Sequence, residues 1–338
     1  RGRRGRRGRC RCRCALAYLR ARAALRDVRR DLDDAVERRN RLALELMSSR
    51  NKWMQSKASM EYGRSFRPRP TDVFVITYPK CGTTWVTQIV HALRTRGDMS
   101  FGEITEVAPW DILALDCKQN LDDDQAAEPR CFKSHEAWRD VAKGGRYIHV
   151  ARNPEDAFWS FYKFLPPFTG LLSGDIDEEA FAKAIFAGAS HSGQIWDYYL
   201  GWWEQRANPD VLWVFFEDLI SDVRHEVGRI ARFAGIATDA ALVDMTVRVS
   251  SFEFMAAKEN QSHYDDHFIK SFCYPQMGIE VGKTQLVTKV NRGKVGRHGL
   301  SDSLKARLAA KWEAVLAGPT GCTSYEEFMA EVKRTQPY

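Results

Sequence analysis

The sequence predicts an α/β fold: a mainly parallel central sheet flanked by helices on both faces, with an N-terminal helical extension. Three observations predict it. From residue 73 onward, short continuous apolar runs alternate with stretches of helical periodicity, the pattern of strands linked by crossover helices. Hydrophobic residues make up 44% and aromatics 12% of 338 residues, enough to fill a large core. No run approaches the roughly 18 apolar residues that span a bilayer, so an integral membrane segment is not expected.

The chain divides by composition. Residues 1–14, RGRRGRRGRCRCRC, are Arg- and Cys-rich and nearly free of apolar side chains. Such a segment cannot repay the entropy of ordering and is expected to be a disordered tail. The first 30 residues hold 13 Arg against Asp27, a charge of +12 in a chain whose total is +7, so residues 31–338 carry −5. The basic balance therefore belongs to the tail, and the folded body is not expected to bind nucleic acid. A nucleic-acid or anionic-surface tether, an organelle-targeting remnant and a segment without a role all stay open for the tail.

Residues 15–64 read as a helical extension. Leu25, Val28, Leu32, Val36, Leu42 and Leu46 recur every three or four positions, and the expected use of this stripe is packing on the chain's own body. SFRPRPTD at 65–72 breaks the pattern and opens a single body over 65–338. Within it, VFVIT (73–77), RYIHVA (146–151) and VLWVFF (211–216) are buried strands. Helices follow at 83–95, after Asn153-Pro154, and in DVRHEVGRIARFA up to Gly235. The eight cysteines form no CxxC pair, and five of them are dispersed through the body, which points to a reducing compartment, the cytoplasm by default.

TYPKCGTTWVTQ (77–88) holds the strongest chemical signal. A strand enters a tight turn at Gly82 and leaves as a helix at Thr83-Thr84, presenting free N–H groups, two hydroxyls and Lys80, which is a P-loop-like place for an anion. It is not a Walker A loop, because Lys80 precedes the only glycine. A Mg²⁺-dependent phosphoryl transferase is disfavoured accordingly.

TYPKCGTTW resembles the 5′-phosphosulfate loop of the cytosolic sulfotransferases, which usually has Ser where Cys81 stands. Other landmarks follow in order: VARNPEDAFWSFYKF (150–164), FFEDL (215–219), SSFEFM (250–255) and NRGKVG (291–296). The resemblance covers about residues 65–330. It implies a sulfotransferase domain that uses 3′-phosphoadenosine 5′-phosphosulfate (PAPS), releases PAP, and needs no metal. By position, Lys80, Cys81, Gly82, Thr83 and Thr84 take the 5′ side. Arg152 and Ser160, with Asn291, Arg292 and Gly293, take the 3′-phosphate, and Trp85, Phe216, Ser250 and Phe252 flank the adenine. A guanidinium suits a phosphate that carries nearly two charges.

CFKSHEAW (131–138) is similar to the family's strand ending in Lys-Thr-His, which gives Lys133 and His135 catalytic places beside Lys80. A neutral imidazole is the right base for an attacking hydroxyl near pH 7. His91 and His149, embedded in apolar runs, read as core histidines. The expected partner is a small, partly apolar hydroxyl or amine acceptor, covered by the segments 161–170 and 261–268 acting as lids. A catalytically silent PAP-binding or scaffold protein is the alternative. A homodimer stays open, although the dimer segment of the animal enzymes is not recognisable in GLSDSLKARLAAKWE (299–313).

Overall fold

Four runs of β-branched and aromatic residues pair as parallel strands: β1 (Val73–Thr77), β2 (Cys131–Ser134), β3 (Arg146–Ala151) and β4 (Val211–Phe215), in the order β2-β1-β3-β4. The computed structural model describes residues 5–284, 289–290 and 299–338, with side chains from Tyr18 onward. Parallel strands need a crossover between them, and the chain leaves β1 to build β2 on one side, then returns to build β3 on the other. This reversal lies at the carboxyl ends of β1 and β3, where sheets of this kind form their ligand crevices.

Alternation along the strands divides two cores. Phe74, Ile76, Tyr147, Trp213 and Phe215 face one layer, while Val73, Val75, Ile148, Val150, Leu212 and Val214 face the other. Both faces are covered, as the continuous apolar runs require. The second layer is closed by helix α3 (Thr83–Thr95) and by the helix Val223–Ala234, which stops at Gly235 in the left-handed conformation. Helix α4 (Pro154–Phe168) starts with Pro154 in its first turn, behind the Asn153 cap, and covers the first layer. At the opposite edge of the sheet, Arg130 forks onto Asp72 through Nε–Oδ1 at 2.9 Å and Nη2–Oδ2 at 2.6 Å, tying β2 to β1.

The extension differs from its expectation. Helix α1 spans Gly5–Lys52 and α2 spans Lys57–Ser65, so the division expected at residue 15 falls inside a helix. The stripe expected against the body faces solvent: Leu25, Val28, Leu32 and Leu42 are all more than half exposed. The face that docks is Asn40, Ala43 and Met47, each under a tenth exposed. Periodicity shows that a helix has an apolar face without showing what covers it, and α1 uses a second face for docking.

Candidate active site

β1 delivers the chain into the turn at the crevice. Lys80 takes φ 71° and Gly82 φ 109°, and α3 begins at once. A side chain at 82 is opposed twice, by this φ and by a Cβ that would lie 2.9 Å from Phe216 Cδ2. Among the described residues no side chain caps α3, so its leading amides face the crevice with the positive end of the helix dipole. Thr83 Oγ1 meets Thr77 Oγ1 at 2.5 Å, which ties the helix start to the strand end.

β3 delivers Arg152. The Tyr199 hydroxyl pins its main chain, donating to the Arg152 carbonyl at 2.6 Å and accepting from its N–H at 2.9 Å. The guanidinium donates Nη1 to the Lys80 carbonyl at 3.0 Å and lies 4.2 Å from the centroid of Phe216. Its Nε is buried and has no hydrogen-bond partner among the described residues. Arg152 lines the cavity wall, where a guanidinium suits an anionic ligand.

β2 delivers Lys133 and, just past its end, His135. Lys133 Nζ sits 3.7 Å above the ring of Trp110, and burial together with Lys289 draws its pKa down. His135 Nδ1 lies 2.8 Å from the Thr77 carbonyl, which can only accept, so Nδ1 carries the proton and Nε2 the lone pair. Burial first, then Lys133, keeps its pKa well below 6.5. The imidazole is therefore neutral at pH 7. Lys80 Nζ lies 3.9 Å from the centroid of Phe164 on α4. Burial, then Lys289, Arg152 and Lys133, lower its pKa to about 7 against the opposing pull of Asp266.

Lys80, Gly82, Thr83, Thr84, Trp85, Lys133, His135, Arg152, Ser160, Phe216, Ser250 and Phe252 all line one cavity of about 460 Å³. Cys81 stands apart. Its thiol is fully buried in the first core layer, 3.5 Å from the Tyr199 hydroxyl, and burial pushes its pKa up to about 12. Residue 81 therefore belongs to the turn through its main chain, with its thiol on the core side. Asn291, Arg292 and Gly293 lie outside the described residues. His149 is buried with neither ring nitrogen hydrogen-bonded, packed 4.1 Å from Trp213, and His91 is buried with Nε2 at 3.2 Å from the Asp98 carbonyl, as expected of core histidines.

Some of the wall was not foreseen. Trp110, Met54, Ile269 and Lys289 join the cavity, and Lys289 pairs with Asp266, which lines the cavity from the expected segment 261–268. Residues 161–168, expected in a lid, form the second half of α4, and Phe161, Phe164, Leu165 and Phe168 line the cavity from there.

A helix N-terminus and a buried cation at the switch point of a parallel sheet place the chain among the α/β proteins that handle anionic, nucleotide-like ligands. Within that class the chain belongs to the sulfotransferase family: the family's sulfotransferase domain matches residues 70–291, and the protein is an enzyme of the sulfotransferase type. Human sulfotransferase 1E1 is 32% identical over 213 residues, 59% of this chain and 70% of that protein. Bovine sulfotransferase 1E1 is 29% identical over 274 residues, 75% of this chain and 86% of that one. Mouse sulfotransferase SULT7A1, solved with PAP, shares the fold at a TM-score of 0.58 and 17% identity over 83% of this chain and 94% of that chain. Retinol dehydratase with retinol and PAP aligns at 0.58 and 19% identity, over 78% and 87% of the two chains. Among the described residues no helix is long and apolar enough to cross a membrane.

Proposed function

We propose that the chain transfers a sulfuryl group from PAPS to a hydroxyl or amine of a small, partly apolar acceptor. The observation that carries this reading is that the uncapped start of α3, the open guanidinium of Arg152 and the neutral imidazole of His135 share one cavity. The volume of about 460 Å³ falls in the range of small-molecule sites. In this reading the amides of Gly82, Thr83 and Thr84 hold the 5′-phosphosulfate. Arg152 and Ser160 hold the 3′-phosphate with Asn291, Arg292 and Gly293, while Trp85, Phe216 and Phe252 flank the adenine near Ser250.

His135 Nε2 takes the acceptor's proton as the acceptor atom forms its bond to sulfur. The bond from sulfur to the 5′-phosphate oxygen breaks, and its electron pair leaves on the phosphate. Lys80 neutralises that charge, and Lys133 holds the sulfuryl oxygens. Cationic side chains suffice for this charge, so the reading calls for no metal. The apolar side chains of Met54, Phe164, Phe168 and Ile269 in the same cavity favour an acceptor with an apolar body.

The test is incubation of the purified chain with labelled PAPS and a library of phenols, alcohols, steroids and amines. Label on an acceptor together with stoichiometric PAP supports the reading. Tight PAP binding with no transfer to any acceptor overturns it in favour of a catalytically silent PAP-binding protein.

A further inference from the structure

We propose that His191 is a second anchoring point of the acceptor site: its Nδ1 accepts a hydrogen bond from a hydroxyl that the acceptor carries in addition to the group that reacts. Given the sulfuryl transfer proposed above, on which this rests, the acceptor is then a diol with an apolar body. His191 lines the cavity that holds His135, and its neighbours Ser190 and Ser192 line it too. These residues form a turn between the helices Glu178–Phe186 and Ile195–Trp203. The Gly193 N–H closes the turn on the Ser190 carbonyl at 3.0 Å, and the Ser192 N–H donates to the Ser190 hydroxyl at 3.2 Å. The Tyr78 hydroxyl donates to the Gly193 carbonyl at 3.2 Å, which fixes the turn to the residue that follows β1.

A buried carboxylate sets the ring. His191 Nε2 lies 3.1 Å from Glu136 Oε1, and the other oxygen of that carboxylate takes a 2.6 Å hydrogen bond from Arg64 Nε on α2. Glu136 is only 3% exposed. Burial would raise its pKa, but the hydrogen bonds from His191 and Arg64 outweigh burial and hold it below the usual carboxylate value. An ionised carboxylate only accepts, so Nε2 carries the ring proton, and in the neutral ring the lone pair is on Nδ1. Nδ1 has no hydrogen-bond partner among the described residues and is not buried.

This clamp does more than tie α2 to the end of β2. It fixes one tautomer of a ring in the cavity wall, as carboxylates do where the other nitrogen has a ligand to meet. Glu136 follows His135 in the chain, so the proposed base and the proposed anchor are set from adjacent residues of one strand end. Behind burial and Lys133, His191 is among the groups that lower the pKa of His135, so the two imidazoles feel one another's charge. An acceptor whose reacting hydroxyl meets His135 Nε2 can therefore offer a second hydroxyl to His191 within the same cavity, its body against Met54, Phe164 and Phe168. A methyl ether in that place would set lone pair against lone pair.

Matched acceptors of increasing length test this: phenol, naphthol and phenylphenol, each beside the member with a second hydroxyl at its far end and the member with a methoxy there. Kd is measured on the full chain saturated with PAP, and kcat/KM with PAPS. In the series that spans the two imidazoles, the diol, corrected for its two reactive ends, should be favoured roughly 3- to 10-fold over both other members, the range for one hydrogen bond. His191→Leu should bring the ratios to about one by weakening the diol. Glu136→Gln should act differently. Arg64 claims the amide oxygen, the amide NH₂ faces Nε2, and the ring proton moves to Nδ1, where it donates to hydroxyl and methoxy alike. The methoxy member then gains on the unsubstituted one. A merely structural clamp predicts equal losses for all three members in both variants, and that result overturns the anchor. So do wild-type ratios near one in every series, ratios that survive His191→Leu, or a preference for a carboxylate at the far end. Because Kd needs no turnover, discrimination in binding without any transfer supports the anchor and fails the proposed reaction alone.

Discussion

His135 Nδ1 donates to the carbonyl of Thr77 at 2.8 Å, so the imidazole on the β2 end is oriented by the strand whose next residues form the anion turn. The end of β2 and the turn after β1, the base and the cradle of the proposed reaction, are thereby held in one register. Thr77 also binds Thr83 through its hydroxyl, which extends the connection to the first residue of α3. A shift of either strand end would move base and cradle together.

Because Nε2 alone is left to act as a base, replacing the ring should remove the chemical step and spare nucleotide binding. His135→Ala is expected to lower kcat by about 10²–10⁴ while the Kd for PAP changes less than roughly threefold. Steady-state sulfation and calorimetric PAP binding measure the two. Loss of PAP binding in parallel with kcat would assign His135 to the structure of the cradle instead.

Arg152 makes one hydrogen bond to the Lys80 carbonyl and stacks on Phe216, and its buried Nε is left over. If that donor meets the 3′-phosphate, Arg152→Ala should weaken PAP by roughly 10- to 100-fold, the range for hydrogen bonds to charged groups. Adenosine 5′-phosphosulfate, which lacks that phosphate, provides the control. Its weaker binding should change little. An equal loss for both ligands would show that Arg152 supports the turn at Lys80 rather than the 3′-phosphate.

Local signals were legible in the sequence and long-range ones were not. β1, α3 and β3 fall on their expected residues, because apolar runs and the Gly82 turn are encoded within a few positions of each other. Twelve of the sixteen expected site residues share one cavity, which the order of the motifs conveyed. Position in a turn does not reveal side-chain direction: the main chain at 81 belongs to the loop, while the thiol packs inward against Tyr199. Pro166 and Pro167 in the stretch expected as a lid sit in the last turn of α4, where Thr169 and Leu171 N–H groups close onto Leu165 and Pro166 carbonyls. Asp266 and Lys289 stand more than 130 residues beyond Lys133 in a segment without periodicity, and only the fold sets them beside it.

That last pair supplies an electrostatic test of the Lys80 assignment. With its pKa lowered to about 7, Lys80 is cationic below that value and neutral above it, so the free enzyme loses a phosphate-binding charge as pH rises through about 7. Since kcat/KM reports the free enzyme, kcat/KM for PAPS should fall on the alkaline side, and a bound nucleotide, raising the pKa, should carry the corresponding fall in kcat to higher pH. Asp266 raises the pKa of Lys80 and Lys289 lowers it. Asp266→Asn should therefore move the alkaline limb of kcat/KM to lower pH, and Lys289→Met should move it to higher pH. Lys80→Arg should remove the fall near pH 7, because a guanidinium stays charged across the range, and leave the later fall that Lys133, lowered to about 8, sets. pH profiles of kcat/KM for the four proteins measure this directly. Shifts of the same sign in the Asp266 and Lys289 variants, or a fall near pH 7 that survives in Lys80→Arg, would assign the titration to another group.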